Sequence, residues 1–395
     1  MISLFVEKEV INLIYLDNCS TTRPRKEVID EISLAMAENF SNPSSLHRLG
    51  MIAEKSLKSA RETIGDFIGV LSDEIIFTSG GTESNNLAIQ GALKTKKEKH
   101  IITTRIEHPA VLNTIKDYEL RGYEITYLEN DQFGRISLDS LREALKKETA
   151  LIAIIHINNE IGTIQDLEGI SKVILKANSK AFFHVDGVQS FGKIPLLLKK
   201  YNIDSYSFSS HKVHGPKGVG GLYLNSQKKI KPLFYGGSQE RRLRPGTENL
   251  EGVLGFARAV KILANKGDYE RNKVEKLKKG LLDLVSSQIG DVKINSPSDS
   301  TGSPYIVNMS FKDIKGEVLL HYLEDKGIFV STGSACSSKN KDKSHVLRAI
   351  NLSKDYLDSS IRICFSYENT LEEVEYMFKV LKESIEDIRL VIKGR

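Results

Sequence analysis

Short apolar runs alternate with amphipathic segments through the first part of the chain. The runs are rich in β-branched and aromatic residues, which predicts buried strands. They are Glu74–Ser79, His100–Thr104, Ala150–His156 and Ala181–Asp186. Apolar positions at helical spacing lie between them, at Ser84–Leu93, Ala110–Leu120 and Leu138–Leu145. This alternation predicts an α/β fold with a mostly parallel sheet that is covered by helices on both faces.

The pattern changes after about residue 257. A charged segment from Asp268 to Ser287 has apolar positions at helical spacing, and strand-like runs follow at Tyr305–Phe311 and Ile328–Ser331. A last amphipathic helix is expected from Glu372. We therefore expect two domains: a large α/β domain over residues 13–257, and a smaller α+β domain formed by residues 1–12 and 258–395.

Composition narrows the classes of function. The chain has 395 residues, of which 40% are hydrophobic and 27% charged, as in an ordinary globular protein. Because the net charge is only +5, we expect no stable, direct binding to nucleic acid. No run reaches the ~18 apolar residues of a membrane span, and Met1–Asn12 does not have the pattern of a signal peptide. We expect a cytoplasmic protein that does not bind membranes.

Three cysteines are scattered through the chain, at Cys19, Cys336 and Cys364. A sparse, odd set argues against a disulfide framework and for a reducing compartment. Cys364 has apolar neighbours in Ile361–Phe365, so it fits a buried core thiol. Cys336 lies in the Ser- and Lys-rich stretch Ser331–Ser344, which predicts an exposed loop where positive charge favours the thiolate.

The segment Phe77–Asn86 has the features of an anion site. A strand ends in two glycines, and a polar helix start follows with a hydroxyl at Thr82. Free backbone N–H groups at a helix N-terminus suit a phosphate, and glycine permits close approach of the backbone. An ordinary capped strand-to-helix turn is an equal alternative on this segment alone. Neither a dinucleotide-binding nor a P-loop fingerprint occurs.

Two further strand ends carry charged side chains. Asp186 ends the run Ala181–Asp186, at the position where α/β sheets bind ligands, and could pair with a pyridinium nitrogen. Lys212 follows 26 residues later (212 − 186), beside Ser209 and His211. A lysine amine can condense with an aldehyde to a Schiff base, and its Ser and His neighbours could bind phosphate. The alternative is that Lys212 is an ordinary surface lysine. The presence of Asp186 and of a phosphate-type turn argues against this alternative.

Taken together, these segments resemble those of the cysteine desulfurases, also called the NifS/IscS-like group. This group belongs to the class V aminotransferases, which are fold-type I pyridoxal-phosphate (PLP) enzymes. The matching motifs run nearly from end to end. They are Tyr15–Thr22, Asn42–His47, the Thr82 turn, Glu107–Leu112, Asn158–Gly162, the Asp186 and Lys212 segments, Gly236–Arg241 and Arg244–Asn249. The resemblance implies a large domain with a mostly parallel seven-stranded sheet flanked by helices, and a smaller α+β domain that carries the Cys336 loop.

The resemblance also implies a role for each matched residue. His108 would stack on the pyridine ring and move protons, and Asp186 would bind the pyridine nitrogen. Gln189 and Asn159 would lie near the 3′-oxygen. The phosphate would be held by Gly81, Thr82, Ser209, Ser210 and His211, together with Thr247 of the partner subunit in a homodimer.

Substrate and thiol positions follow in the same way. Arg362 resembles the arginine that grips the substrate carboxylate, with Asn159 beside it. Cys336 matches the thiol that receives sulfur, and it could transiently ligate an iron–sulfur cluster, although no intrinsic metal site is expected. Cys19 is treated as structural, because the family often has Ala there. The lysine-rich residues Lys339–Lys343 depart from the Gly- and Pro-containing pattern of relatives.

The implied function is removal of sulfur from L-cysteine, which gives L-alanine and a persulfide on Cys336. The persulfide would pass to an acceptor protein, in iron–sulfur cluster assembly or tRNA thiolation. A selenocysteine lyase or aminotransferase-like enzyme would keep Lys212 and not need Cys336. A non-catalytic scaffold is a third possibility. It is disfavoured because the chain retains all four matched residues Lys212, Asp186, His108 and Cys336.

Overall fold

A computed structural model describes residues 13–332 and 344–393 of the chain. Its strands are β1 Ile14–Tyr15, β2 Ile75–Thr78, β3 His100–Thr104, β4 Glu124–Leu128, β5 Thr149–Ile155, β6 Phe182–Asp186, β7 Ser205–Ser209, β8 Gly220–Leu224, β9 Val292–Ile294, β10 Ile306–Phe311, β11 Ile328–Phe329 and β12 Ser360–Cys364. Its helices are α1 Lys26–Glu38, α2 Arg48–Ile68, α3 Gly81–Leu93, α4 Pro109–Leu120, α5 Leu138–Ala144, α6 Leu167–Lys176, α7 Leu250–Gln288, α8 Gly316–Glu324, α9 His345–Ala349, α10 Lys354–Leu357 and α11 Leu371–Lys393.

Seven strands form the main sheet, in the order β2-β8-β7-β6-β5-β3-β4. The pairs from β7 to β4 are parallel, whereas β8 is antiparallel to both of its neighbours. Strands β5 to β8 are buried at every position, as expected for a sheet covered on both faces. The predicted α/β fold with a mostly parallel seven-stranded sheet is confirmed.

Two apolar layers cover the two faces of this sheet. On one face, side chains of α2, α5, α6 and α7 pack against β5, β6 and β7. On the other, α3 and α4 pack against β3, β5 and β8. The parallel strands therefore point their carboxyl ends at one common edge, where the loops into α3, α4 and the residues after β6 and β7 meet.

A second, three-stranded antiparallel sheet has the order β12-β10-β9. It packs with the later part of α7, α8 and α11 around a separate apolar cluster. Residues 14–16 join this cluster because β1 pairs in parallel with β11. The division into residues 13–257 and the remainder stays a prediction, and residues 1–12 lie outside the described part.

The helix α7 is the largest difference from the sequence expectation. It spans 39 residues from Leu250, whereas the charged pattern predicted a start at Asp268. Its first part is buried at Val253, Phe256 and Val260, so it lacks the charged face that marks the later part. The Asn249 side chain begins the helix by accepting a hydrogen bond from the Gly252 amide.

The expectation that the cysteines form no disulfide is wrong for two of them. A disulfide joins Cys19, in the turn after β1, to Cys364 at the end of β12. These residues are 345 positions apart in sequence, so their spacing carried no sign of the pairing, which depends on how the fold brings the two Cα atoms to 5.6 Å. Both cysteines are buried, as expected for Cys364.

Membrane-crossing helices were also sought in the part of the chain that the structure describes. No helix there combines the length and the apolar character that a bilayer span requires.

Candidate functional site

Asp186 ends β6 in the middle of the main sheet, and its carboxylate is buried and fixed from three sides. The Asn85 side-chain amide donates to Oδ2 at 2.8 Å. The Val188 amide donates to Oδ1 at 3.0 Å, and the Ser207 hydroxyl lies 3.4 Å from the same oxygen. The carboxylate therefore has a single orientation at the strand end.

Asn85 is itself oriented by a second set of polar groups below it. Its Oδ1 accepts from His184 Nε2 at 2.9 Å and from the Ser207 hydroxyl at 2.6 Å. The His184 Nδ1 then accepts from the Ser205 hydroxyl at 2.8 Å. Burial lowers the pKa of His184 to about 3, so the ring is neutral and this network carries no second charge.

The turn before α3 and the turn after β7 form a cradle at the same sheet edge. Gly80 has φ 155° and ψ −176°, a conformation essentially restricted to glycine. The hydroxyls of Ser209 and Ser210 are buried and have no hydrogen-bond partner among the described residues. Buried hydroxyls are normally paired, so two together beside a helix N-terminus fit a phosphate group. Gly81 is partly exposed and Thr82 is exposed at the start of this helix.

Lys212 ends the short turn Ser210–Lys212, directly after β7. Its ammonium donates to the backbone carbonyls of Cys19 and of Ser20, the latter at 2.8 Å. The Gln189 side chain donates to the same Cys19 carbonyl at 2.9 Å. His211 is half-buried, and its Nδ1 lies 3.2 Å from the Thr21 hydroxyl.

A second lysine, Lys193, is buried behind Gln189. Its ammonium donates to Gln189 Oε1 at 3.0 Å, which directs the amide nitrogen of Gln189 toward Cys19. Burial, and then the charges of Lys212 and Arg362, lower the pKa of Lys193 to about 7. Sequence reasoning missed this residue, because a lysine in a Gly-Lys turn carries no pattern that indicates burial.

Arg362 lies in β12 with its guanidinium buried at the site. Nη1 donates to the Asn159 carbonyl at 2.8 Å, and Nη2 donates to Asp17 Oδ1 and to the Ser20 hydroxyl, each at 2.8 Å. Its Nε is buried with no partner among the described residues. Asn159 therefore meets Arg362 through its backbone, and its side chain is left for another contact.

His108 begins α4, and its Nδ1 accepts a hydrogen bond from the Ala110 amide at 3.1 Å. Burial lowers its pKa, the charge of Asp186 opposes that shift, and the charges of Lys212 and His345 add to it. The neutral ring therefore carries its proton on Nε2. Its neighbour Glu107 is fully buried, and burial raises the pKa of this carboxyl to about 8.

The segment that carries Cys336 and Lys339–Lys343 lies outside the described residues, but both of its ends are described. Ser331, near the first end, pairs backbone to backbone with Arg362. Ser344, at the second end, donates its hydroxyl to the buried Glu160 carboxyl at 2.5 Å. Thr247 is exposed in the loop before α7.

Most of the predicted residues thus lie at one sheet edge. They form two sets, one around Asp186 and one around Arg362, which meet at Lys212. Sequence reasoning missed Asn85, His184, Lys193, Ser207 and Glu160. A signal was present for Asn85, because an Asn-Asn pair directly before the apolar part of α3 indicates a polar contact of the helix face.

Comparisons with known proteins agree with this arrangement. The profile of the family described as Aminotransferase class-V matches residues 14–377. A protein named cysteine desulfurase IscS from Dictyoglomus turgidum is 44% identical over 381 residues, which cover 96% of each chain. The cysteine desulfurase IscS of Methanosarcina thermophila is 41% identical, covering 95% of this chain and 93% of its own.

Solved structures give the same result for the fold. A structure titled NIFS-like protein superposes with a TM-score of 0.89 at 37% identity, and the match covers 95% of this chain and 99% of that one. A structure titled SspA in complex with cysteine superposes with a TM-score of 0.79 at 33% identity, covering 90% of this chain and all of that one. The chain therefore belongs to the class V aminotransferase family and, within it, to the IscS/NifS group of cysteine desulfurases, which depend on pyridoxal phosphate.

Proposed function

We propose that this enzyme converts L-cysteine to L-alanine and carries the released sulfur as a persulfide on Cys336. One observation carries the assignment of the thiol. Ser331 pairs with the backbone of Arg362, and Ser344 is bound to Glu160, next to Asn159. Both ends of the segment that contains Cys336 therefore lie at the same site, which supports Cys336 as the group that meets the substrate.

The cradle residues fit the coenzyme. The unpaired hydroxyls of Ser209 and Ser210, with Gly81, Thr82 and His211, would hold the phosphate. Asp186 would accept a hydrogen bond from the pyridine nitrogen, and Gln189 and Asn159 would lie near the 3′-oxygen. Lys212 would bind the aldehyde through its amine. When bound, PLP supplies an electron sink for the bonds broken at the substrate α-carbon.

Side chains of the protein would bind the substrate and move its protons. Arg362 would exchange part of its contact with Asp17 for the substrate carboxylate, to which a guanidinium can donate two hydrogen bonds. Lys212, released from Cys19 and Ser20, would take the α-proton. His108 holds a proton at Nε2, because its Nδ1 accepts from the Ala110 amide.

The sulfur step is a displacement at the substrate sulfur. The Cys336 thiolate attacks that sulfur, a new S–S bond forms, and the bond from the substrate sulfur to Cβ breaks. The electron pair of the broken bond stays with the carbon, which takes up a proton and leaves as the methyl group of alanine. Carbon is reduced and sulfur is oxidised, so no external oxidant is required.

A comparison of two variants in one segment tests the assignment. Cys336→Ala should form no enzyme-bound persulfide when L-cysteine is added, whereas the matched control Ser338→Ala should form as much as the wild type. Peptide mass spectrometry would locate the added sulfur. Persulfide on Cys336→Ala would contradict the assignment. Continued alanine release from selenocysteine, with none from cysteine in the wild type, would favour a selenocysteine lyase.

We further propose a homodimer, with Thr247 of the partner subunit near the phosphate. Exposed apolar side chains cluster around the end of α1 and the start of α2, where Phe40 is 73% and Leu46 96% exposed. Such a patch is unusual for a monomer and supports a self-association face. Leu46→Glu should shift the protein to monomers in analytical ultracentrifugation, and an unchanged mass would contradict the proposed face.

The acceptor of the sulfur is proposed by class. The name IscS of the relatives supports an acceptor in iron–sulfur cluster assembly, with tRNA thiolation as the second route, and a cytoplasmic location. Transfer of radiolabelled sulfur from Cys336 to a scaffold protein or to a tRNA-thiolating protein would distinguish the two routes.

A further inference from the structure

The turn formed by residues 17–20 holds several groups of the site at once. The Cys19 carbonyl accepts hydrogen bonds from Lys212 and Gln189. On the same turn, Asp17 and the Ser20 hydroxyl accept from the Arg362 guanidinium. A displacement of this turn would therefore move the acceptors of the lysine and of the arginine together.

The turn is also joined to the end of β12 at Cys364, by hydrogen bonds and by one covalent bond. The Asn18 amide donates to the Cys364 carbonyl at 3.4 Å, which is a long hydrogen bond, and the Asn18 side chain donates to it at 2.9 Å. Directly before the turn, the Cys364 amide donates to the Leu16 carbonyl at 2.6 Å. The covalent link is the bond between the sulfur atoms of Cys19 and Cys364. Cys364 lies two residues after Arg362 in the same strand, so this bond connects the turn to the strand that carries the guanidinium.

We propose that the Cys19–Cys364 disulfide is a positioning element of the substrate site, and that its reduction weakens the binding of an amino acid substrate. This rests on the proposed function for the identity of the ligand. With the bond intact, the turn stays against β12, and the acceptors of Lys212 and Arg362 keep fixed positions. Without it, only hydrogen bonds and the Asp17–Arg362 ion pair hold the turn against β12.

Formation and cleavage of the bond balance through thiol–disulfide exchange. Two cysteine thiols lose two protons and two electrons to a low-molecular-weight disulfide, which is reduced to two thiols, and a dithiol reverses the change. Cys19 and Cys364 are only 2% and 0% exposed, and their neighbours Ile14, Leu16 and Ile363 are apolar. Exchange therefore requires the turn to open first, so we expect it to be slow compared with exchange at an exposed cysteine.

The test compares four proteins as full chains: oxidised wild type, dithiol-reduced wild type, Cys19→Ala and Cys364→Ser. Non-reducing peptide mass spectrometry after treatment with oxidised glutathione measures the cross-linked peptide. Affinity for L-alanine, read from the coenzyme absorbance, measures the site without using the sulfur step. Oxidised wild type should bind L-alanine at least about fivefold more tightly than the other three proteins. Neither variant should respond to oxidation or reduction.

Amide hydrogen exchange supplies a readout that needs no coenzyme. Residues 17–20 should exchange faster in reduced wild type and in both variants, while the central strand β6 exchanges at the same rate in all four proteins. Equal exchange in oxidised and reduced wild type, or absence of the cross-linked peptide after oxidation, would overturn the proposal. If L-alanine bound none of the proteins, the proposed function would fail, and the exchange of residues 17–20 would still decide this inference.

Discussion

The two halves of the site are built in opposite ways. Around Asp186, neutral side chains on adjacent strands and on α3 form one connected network, and its only charge is the carboxylate. Around Arg362, the guanidinium lies close to the amines of Lys212 and Lys193, and it forms an ion pair with Asp17. The sheet fixes the first half, whereas contacts between distant chain segments assemble the second.

This difference predicts how each half responds to change. In the half around Asp186, an isosteric substitution leaves the packing intact. It should therefore lower the catalytic rate more than the stability of the fold. In the half around Arg362, a substitution changes the balance of buried charge, so substrate affinity and the pH dependence of stability should change. The following variants probe each half in turn, beginning with the largest effect.

Asp186→Asn should remove the carboxylate while it keeps the side-chain volume. We expect a loss of about 10³-fold in kcat, because a general acid–base or electrostatic partner of the reacting group contributes on this order. The melting temperature should change little. Alanine production from L-cysteine measures the effect, and near-normal turnover in this variant would remove Asp186 from the proposed site.

Arg362→Lys should raise KM roughly 10- to 100-fold, because the loss of a bidentate, charge-assisted pair costs about 1.5–3 kcal/mol. The effect on kcat should be smaller. Steady-state kinetics with L-cysteine separate the two parameters. A fall in kcat at unchanged KM would show that Arg362 does not bind the carboxylate.

Asn85→Ala should lower kcat about tenfold, since it removes the donor that orients Asp186 and leaves a buried acceptor unsatisfied at about 1–3 kcal/mol. Asn86→Ala is the matched control, because Asn86 is the adjacent residue and does not contact Asp186. Equal losses in both variants would contradict the orienting role.

Lys193→Met should change the pH dependence of stability. The folded protein releases the Lys193 proton at about pH 7, and the unfolded chain releases it near the usual lysine value of 10.5. Between these values the unfolded chain binds more protons, so the free energy of unfolding rises with pH by at most about 1.4 kcal/mol per pH unit. The variant should lack this rise in urea titrations of coenzyme-free protein, and Lys172→Met, on the exposed face of α6, should retain it.

The same contrast explains what sequence reasoning could reach. The strands and Asp186 follow from local patterns, because a buried parallel strand is a continuous apolar run whose end marks the ligand edge. Strand β3 was predicted with its observed bounds, and β6 with one residue in excess. The first part of α7 was not predicted, since no charged face contrasts with its buried positions. The helices α1 and α2 were also not predicted, although exposed charged residues such as Glu54 and Lys58 lie opposite the buried face of α2.

The second half could not be derived in this way. The contact of Asp17 with Arg362 and the bond of Cys19 with Cys364 each join residues 345 positions apart, and no spacing rule reaches that far. Lys193 is buried because the fold brings the ring of Tyr305, 112 positions away in sequence (305 − 193), to 5.5 Å from its ammonium, and the sequence neighbours of Lys193 do not indicate this. The family resemblance identified Arg362 as a site residue, but it did not identify Asp17, whose carboxylate binds the guanidinium.

We propose that both halves of the site meet at Lys212 and that the coenzyme binds to its amine. Lys193 is the competing amine, because it is buried nearby and its pKa is lowered to about 7. Borohydride reduction of the PLP-loaded enzyme, followed by peptide mass spectrometry, fixes the coenzyme to the amine that carries it. The account predicts the pyridoxyl group on Lys212 alone, and recovery of that group on Lys193 would contradict it.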